Sequence, residues 1–272
     1  MNLRRAMRAL LALLLLSPAV ATASELPGAT AFNRAADALL PDVAHTPTSA
    51  PPPLSDPRVK AFLVAADMHA VFGSAAVDAS DIQAVVPVCS KANRIGASYL
   101  MAATEGADAP HTDDMSKDAT ATVDTMRRNA VIYQDLIVPM SAFVNECTAR
   151  LMPLLASQFA SIPPAERTRE AVDWLDMIRM NLDRQIAMAL MVGSVDGLTP
   201  ARRHEILAAA AATAPTLAQV MTVRARIINR KSAGYAMQKL GPSEKASLEA
   251  IEKAFADQRC EGLCLIVPDD GE

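Results

Sequence analysis

Between residues 165 and 192 the apolar side chains recur every three or four positions. Val172, Leu175, Ile178, Leu182, Ile186, Ala189 and Leu190 share one face at about 100° per residue, the period of an α-helix. A stripe of that kind has to be covered by another apolar surface, which commits this part of the chain to packing against its neighbours. Those neighbours read as helices too. Only 10 of 272 residues are Gly and 4% are aromatic, while 51% are hydrophobic, with Ala, Leu and Met prominent. Such residues lose little rotamer freedom in a helix. The same composition excludes a disordered or collagen-like chain. The fold expected is all-α, an irregular bundle-like domain of seven to nine helices.

Punctuation along the chain suggests where those helices lie. Residues 41–57 contain six prolines among Thr, Ser and Ala, a composition that favours an extended, semi-rigid linker. It would separate a loosely attached segment, residues 24–56, carrying one brief helix at 32–40, from a single helical domain at 57–272. Asp56-Pro57 opens a helix to Phe72, before Gly73. Ser80-Asp81-Ile82-Gln83 fits a capping box for a helix to Glu105-Gly106, kinked or broken at Pro87. A long helical stretch from Asp113 towards Phe159 is expected to be interrupted at Pro139, with Pro153 as a second candidate break, and Pro163-Pro164 ends it. Gly193 and Gly197 end the helix of residues 165–192, and Thr199-Pro200 caps the next. Pro215 divides residues 201–214 from 216–232, and Gly241-Pro242-Ser243 precedes a last helix to Gln258.

Residues 1–23 have the layout of a cleaved secretory signal peptide. Arg4, Arg5 and Arg8 precede an apolar run at 9–16, a Ser17-Pro18 breaker and the small-residue ending Ala21-Thr22-Ala23. The run is shorter than the roughly 20 residues of a membrane-spanning helix. No Cys follows the cleavage point to accept lipid. Cleavage there would change the formal charge from −4 to −7, since it removes three arginines and no acid. An acidic chain of this sort is a poor candidate for nucleic-acid binding, which needs clustered Lys and Arg. No transmembrane span is expected in the remainder. Its longest uncharged stretch, residues 206–223, is dominated by Ala and interrupted by Thr213, Pro215 and Gln219. A periplasmic or secreted location follows as the expectation.

In an oxidising compartment four cysteines tend to pair. The pairing expected is Cys89–Cys147 and Cys260–Cys264, the second across a turn that Gly262 permits. The larger loop would contribute about 3–4 kcal/mol through the entropy of the unfolded chain. A zinc or C-x-x-C redox reading fails on the spacing.

The candidate interaction face is a methionine stripe. Met177, Met180, Met188 and Met191 fall within about 80° of arc on the helix of Trp174, apart from its aliphatic face. Methionine fills irregular gaps between surfaces, and Asp173 and Arg184 give the arc a polar rim, as a packing or partner surface would have. Thioethers also suit Cu(I), so a soft-metal (copper) site on this face is the alternative reading.

Catalytic signatures do not emerge. His45, His69, His111 and His204 are scattered, and His204-Glu205 lacks the second histidine of H-E-x-x-H. There is no G-x-S-x-G turn and no phosphate loop, which leaves an envelope hydrolase only as a site converging in three dimensions. Asp113 and Asp114 beside His111 suit a helix N-terminus. Arg224, Arg226, Arg230 and Lys231 gather charge without sharing one helix face. The sequence therefore implies no catalytic residues and no cofactor. It points to an exported, disulfide-stabilised helical protein that binds an envelope protein or a hydrophobic ligand.

Overall fold

The computed structural model describes residues 26–43, 50–73, 77–102, 115–256 and 259. Among them every regular element is helical, with ten α-helices and two short 3-10 turns. In chain order the helices are α1 (Ala29–Val43), α2 (Pro57–Ala65), α3 (Met68–Phe72), α4 (Ile82–Leu100) and α5 (Met115–Ile132). They continue as α6 (Gln134–Ser161), α7 (Arg169–Gly193), α8 (Pro200–Val220), α9 (Val223–Lys239) and α10 (Pro242–Ala254). The 28-residue α6 is the central wall. It packs on α4 and, through α4, on α1 and α2; it also packs on α8, which carries α7 and α10. Helix α9 closes the far side against α7 and α10.

Prolines and caps divide the labour differently from the sequence reading. Helices α1, α4, α6 and α8 run through Pro41, Pro87, Pro139 with Pro153, and Pro215 respectively. A proline inside a helix costs about 3 kcal/mol or more in isolation, but each of these helices is held by buried neighbours. Leu136, Val138, Met140 and Phe143 surround Pro139, and Ala214 and Leu217 flank Pro215, all buried. The real boundaries are set by side chains that capture backbone N–H groups. Asp67 accepts from Ala70 N and starts α3, which splits the helix expected to reach Phe72 unbroken. Thr199 and Thr222 cap α8 and α9, so the break expected at Pro215 falls at Met221 and Thr222. The capping box lies two residues earlier than expected, with Asp78 and Asp81 exchanging bonds across the 3-10 turn Ala79–Asp81. Helix α4 stops at Leu100, short of Glu105, because Asn129 donates to the carbonyls of Leu100 and Ala102.

The segment expected to hang loosely before the domain is part of its core. Phe32, Ala36 and Leu39 on α1 are fully buried. The Phe32 ring stacks on Phe143 of α6 with centroids 5.3 Å apart and tilts against Phe62 of α2 at 5.5 Å. Their spacing, with Val43 next, is the same three-and-four pattern that identified α7. The end of the Pro-rich stretch is likewise packed down: Pro51 and Pro52 are buried, and the Pro52 carbonyl accepts a 2.7 Å bond from the Tyr99 hydroxyl. Burial pushes that hydroxyl's pKa well above the usual phenol range, so it stays a donor.

Cys89 of α4 and Cys147 of α6 form a disulfide with Cα atoms 5.6 Å apart, closing a separation of 58 residues. Cys260 and Cys264, and the signal-like residues 1–23, lie outside the described residues. On α7, Leu175, Leu182, Ile186, Ala189 and Leu190 are buried as their spacing requires. No helix among the described residues is long and apolar enough to cross a membrane.

Candidate functional groove

Three helices and one turn line an open concavity among the described residues. Helix α7 forms its floor through Ala187, Leu190 and Met191, continued by Ser194 and Val195 of the turn that follows. The last turns of α5 make one wall with Arg127, Arg128, Val131 and Ile132. The outer side of α9 makes the other with Lys231, Ser232, Tyr235 and Lys239. Its volume is about 1040 Å³, at the upper end of the range for small-molecule sites, and it is open enough for a short chain segment.

Each wall is anchored by buried polar contacts. Asn129, fully buried, ties α5 to the end of α4. The turn after α7 is gathered by Arg203, whose guanidinium donates to the Gly193 and Val195 carbonyls at 3.0 and 2.9 Å. It thereby satisfies helix-end acceptors that would otherwise lack partners. Gly197 holds φ +97°, a left-handed conformation that other residues avoid. A Cβ there would also meet Val131 of α5 at 3.3 Å. Helix α9 is pinned to α7 at Asp183, which accepts from the Thr222 hydroxyl at 3.2 Å and, through its carbonyl, from Asn229 at 3.2 Å. These contacts fix the spacing of the walls.

The groove combines an apolar floor with a positive rim. Leu190 and Val195 are buried beneath it, whereas Ile132 and Tyr235 are 55% and 67% exposed on its two sides. Four cationic side chains line it against one acid, Asp196, whose carboxylate is 3.8 Å from Lys239. Arg127 pairs with Asp124 at 3.3 Å. Among the described residues neither Arg128 nor Lys231 makes an ion pair with a carboxylate, so both charges are available at the rim. In a chain of formal charge −4, a net positive groove is a local inversion. Such inversions steer ligands of the opposite sign.

The methionine stripe is only partly drawn into this site. Met188 and Met191 are half-buried against the core, and Met191 lines the groove. The side chains of Met177, Met180 and Trp174 lie outside the described residues. The basic run on α9 is scattered: Arg226 is buried, Arg230 lies 3.5 Å from Glu252 of α10, and only Lys231 reaches the groove. His69 and His204 are exposed and far apart in the chain, while His45 and His111 lie outside the described residues. No group of three His, Cys, Asp or Glu side chains among the described residues could hold a metal ion. Sequence reasoning missed Arg127, Arg128, Tyr235 and Lys239. One signal was present: Ile228, Ser232, Tyr235 and Lys239 stand at i, i+4, i+7 and i+11 on α9, and this stripe is exposed at Ile228 and Tyr235. No family model, curated protein or solved structure matches this chain.

Proposed function

We propose that this is an exported, non-enzymatic binding protein whose groove between α5, α7 and α9 takes an acidic, amphipathic peptide segment of an envelope protein. The observation that carries the reading is the pairing of an apolar floor with a rim of Arg127, Arg128, Lys231 and Lys239. An amphipathic segment laid in an apolar groove presents its hydrophobic anchors downwards and its charges to the rim. Tyr235 is suited to such a contact, because it offers a large rigid surface with a polar tip. Export is supported by the arrangement of residues 1–23 and by the Cys89–Cys147 bond, which is characteristic of oxidising compartments.

The test is fluorescence anisotropy with two labelled 12-residue peptides, one built of Leu and Glu and the other of Leu and Lys. The acidic peptide is expected to bind, to weaken as salt is raised, and to lose at least about tenfold in affinity in an Arg127→Glu/Arg128→Glu/Lys231→Glu variant. Equal binding of both peptides, or an affinity untouched by the charge reversal, refutes the reading.

A further inference from the structure

The groove differs at its two ends. Helix α9 runs alongside α7, since Asp183 meets Thr222 and Asn229 while Lys239 reaches Asp196, beyond the end of α7. The turn that carries Asp196 sits at the junction of α5 and α6: Gly197 backs onto Val131, and the Thr199 N–H donates to Gln134 Oε1 at 3.0 Å. Away from this turn, Arg127 and Arg128 stand one helical turn back along α5, and Lys231 stands about 12 Å back along α9 from Lys239. The far end therefore holds three cations. Beside the turn there is one, Lys239, with the Asp196 carboxylate 3.8 Å away. We infer that Asp196 makes the groove selective for orientation, admitting a segment whose acids are gathered at one end, over Arg127, Arg128 and Lys231, and whose apolar end lies at the turn. This deepens the reading of the groove as a site for acidic amphipathic segments and rests on it.

Magnitudes favour a role in selection over one in stability. The Lys239–Asp196 pair is exposed, so it adds little to the fold. Its effect is on the local field. At physiological salt, exposed charges more than roughly 8 Å apart are largely screened from one another. Lys231 is farther than that from Lys239, so Asp196 cancels the charge at the turn and leaves the far end positive. Arg127 shares its charge with Asp124, an exposed pair with which a ligand carboxylate can compete. A carboxylate placed at the turn instead meets a lysine already paired and an acid of its own sign, and two like charges about 5 Å apart in water lower affinity roughly fourfold. The position of Asp196 is fixed by its neighbours, since Arg203 holds the Val195 carbonyl at 2.9 Å and Gly197 turns the chain with φ +97°. Apolar surface lies at the same end: Val195 is buried in the floor and Ile132 is exposed beside it, with Tyr235 midway between Lys231 and Lys239. A repulsion built against the wrong arrangement is a general source of specificity.

Two ten-residue peptides of one composition, four Glu, four Leu and two Ser, test this on the full-length chain. One has its glutamates gathered at one end and the other has two at each end. By fluorescence anisotropy the gathered peptide should bind the native protein about tenfold more tightly than the split one. Asp196→Asn, at an exposed position, should bring the split peptide to within about threefold of the gathered one and leave the affinity of the gathered one unchanged. A photo-reactive benzoylphenylalanine replacing the leucine farthest from the gathered glutamates should label residues 131–132 or 195, at the turn. Equal affinity of the native protein for both peptides, a gap that survives Asp196→Asn, or labelling at residues 127–128 instead overturns the inference. If neither peptide binds, the groove reading falls and takes this inference with it. Equal binding of both that is lost in the Arg127→Glu/Arg128→Glu/Lys231→Glu variant leaves the groove reading standing and removes the orientation alone.

Discussion

The two sides of α6 are built by different means. On the α1–α4 side large rings meet: Phe32, Phe62, Phe72 and Phe143 form one chain of contacts, and Tyr99 meets Tyr133 edge-on at 5.2 Å. A disulfide ties α4 to α6 beside them. On the α7–α10 side a largely aliphatic core is interleaved with small residues, Ala210, Ala214 and Ala218 on α8 and Ala225, Ala233 and Ala236 on α9. There, Asp183, Thr222 and Asn229 supply position through hydrogen bonds. Bulky rings and a covalent link bring stability through area and entropy. Small residues allow close helix approach, while a buried polar network specifies how helices sit. The groove opens on the second side, where α9 is held by a few directed bonds and keeps its outer face, with Ile228 and Tyr235, exposed.

Removing the covalent link is the harshest way to test this contrast. Replacing Cys89 and Cys147 by alanine should cost about 4 kcal/mol for a loop of this length, read from urea unfolding. Hydrogen exchange should quicken in α1–α4 before α8–α10. Simultaneous loss in both would mean that the two sides form one cooperative unit. A milder contrast uses two glycines. A Cβ on Gly28 would come 2.3 Å from the Ala70 carbonyl oxygen, whereas one on Gly234 of α9 meets nothing within 4 Å. Gly28→Ala should destabilise by up to about 3 kcal/mol, the upper end for overpacking. Gly234→Ala should stabilise by up to about 1 kcal/mol through helix propensity. Thermal melts of the two variants give the signs.

The smallest effect is at the start of α4. Hydrogen bonds from the Ser80 side chain and backbone hold the Asp78 carboxyl below the usual carboxylate range. A carboxyl with a depressed folded-state pKa contributes stability above its unfolded value of about 3.9, and that contribution is lost as pH falls through the folded value. Asp78→Asn keeps the cap without the titration, so its melting temperature should fall less steeply than the native one below about pH 4. Parallel curves would show that ionisation of this carboxyl adds nothing beyond what the neutral cap supplies.

Helical class and the buried face of α7 were legible because both rest on local periodicity. The Cys89–Cys147 pair was legible once an oxidising compartment was assumed. Helix boundaries at Pro87, Pro139 and Pro215 were misread, since local propensity cannot register how much buried contact holds a helix through a proline. Residues 29–43 were undervalued for a related reason: the stretch of prolines after them suggested a spacer, while the spacing of Phe32, Ala36 and Leu39 already marked a core face. The groove was hidden because Arg127 and Arg128 are about a hundred residues from Lys231 and Lys239, and only the tertiary fold brings their charges to one rim.

The most direct test of the account is hydrogen exchange of the full-length protein with and without the Leu/Glu peptide. Protection confined to residues 127–132, 187–196 and 231–239, with α1–α4 unchanged, is the predicted result. Protection centred on the aromatic side of α6, or none while the peptide is bound, would contradict it.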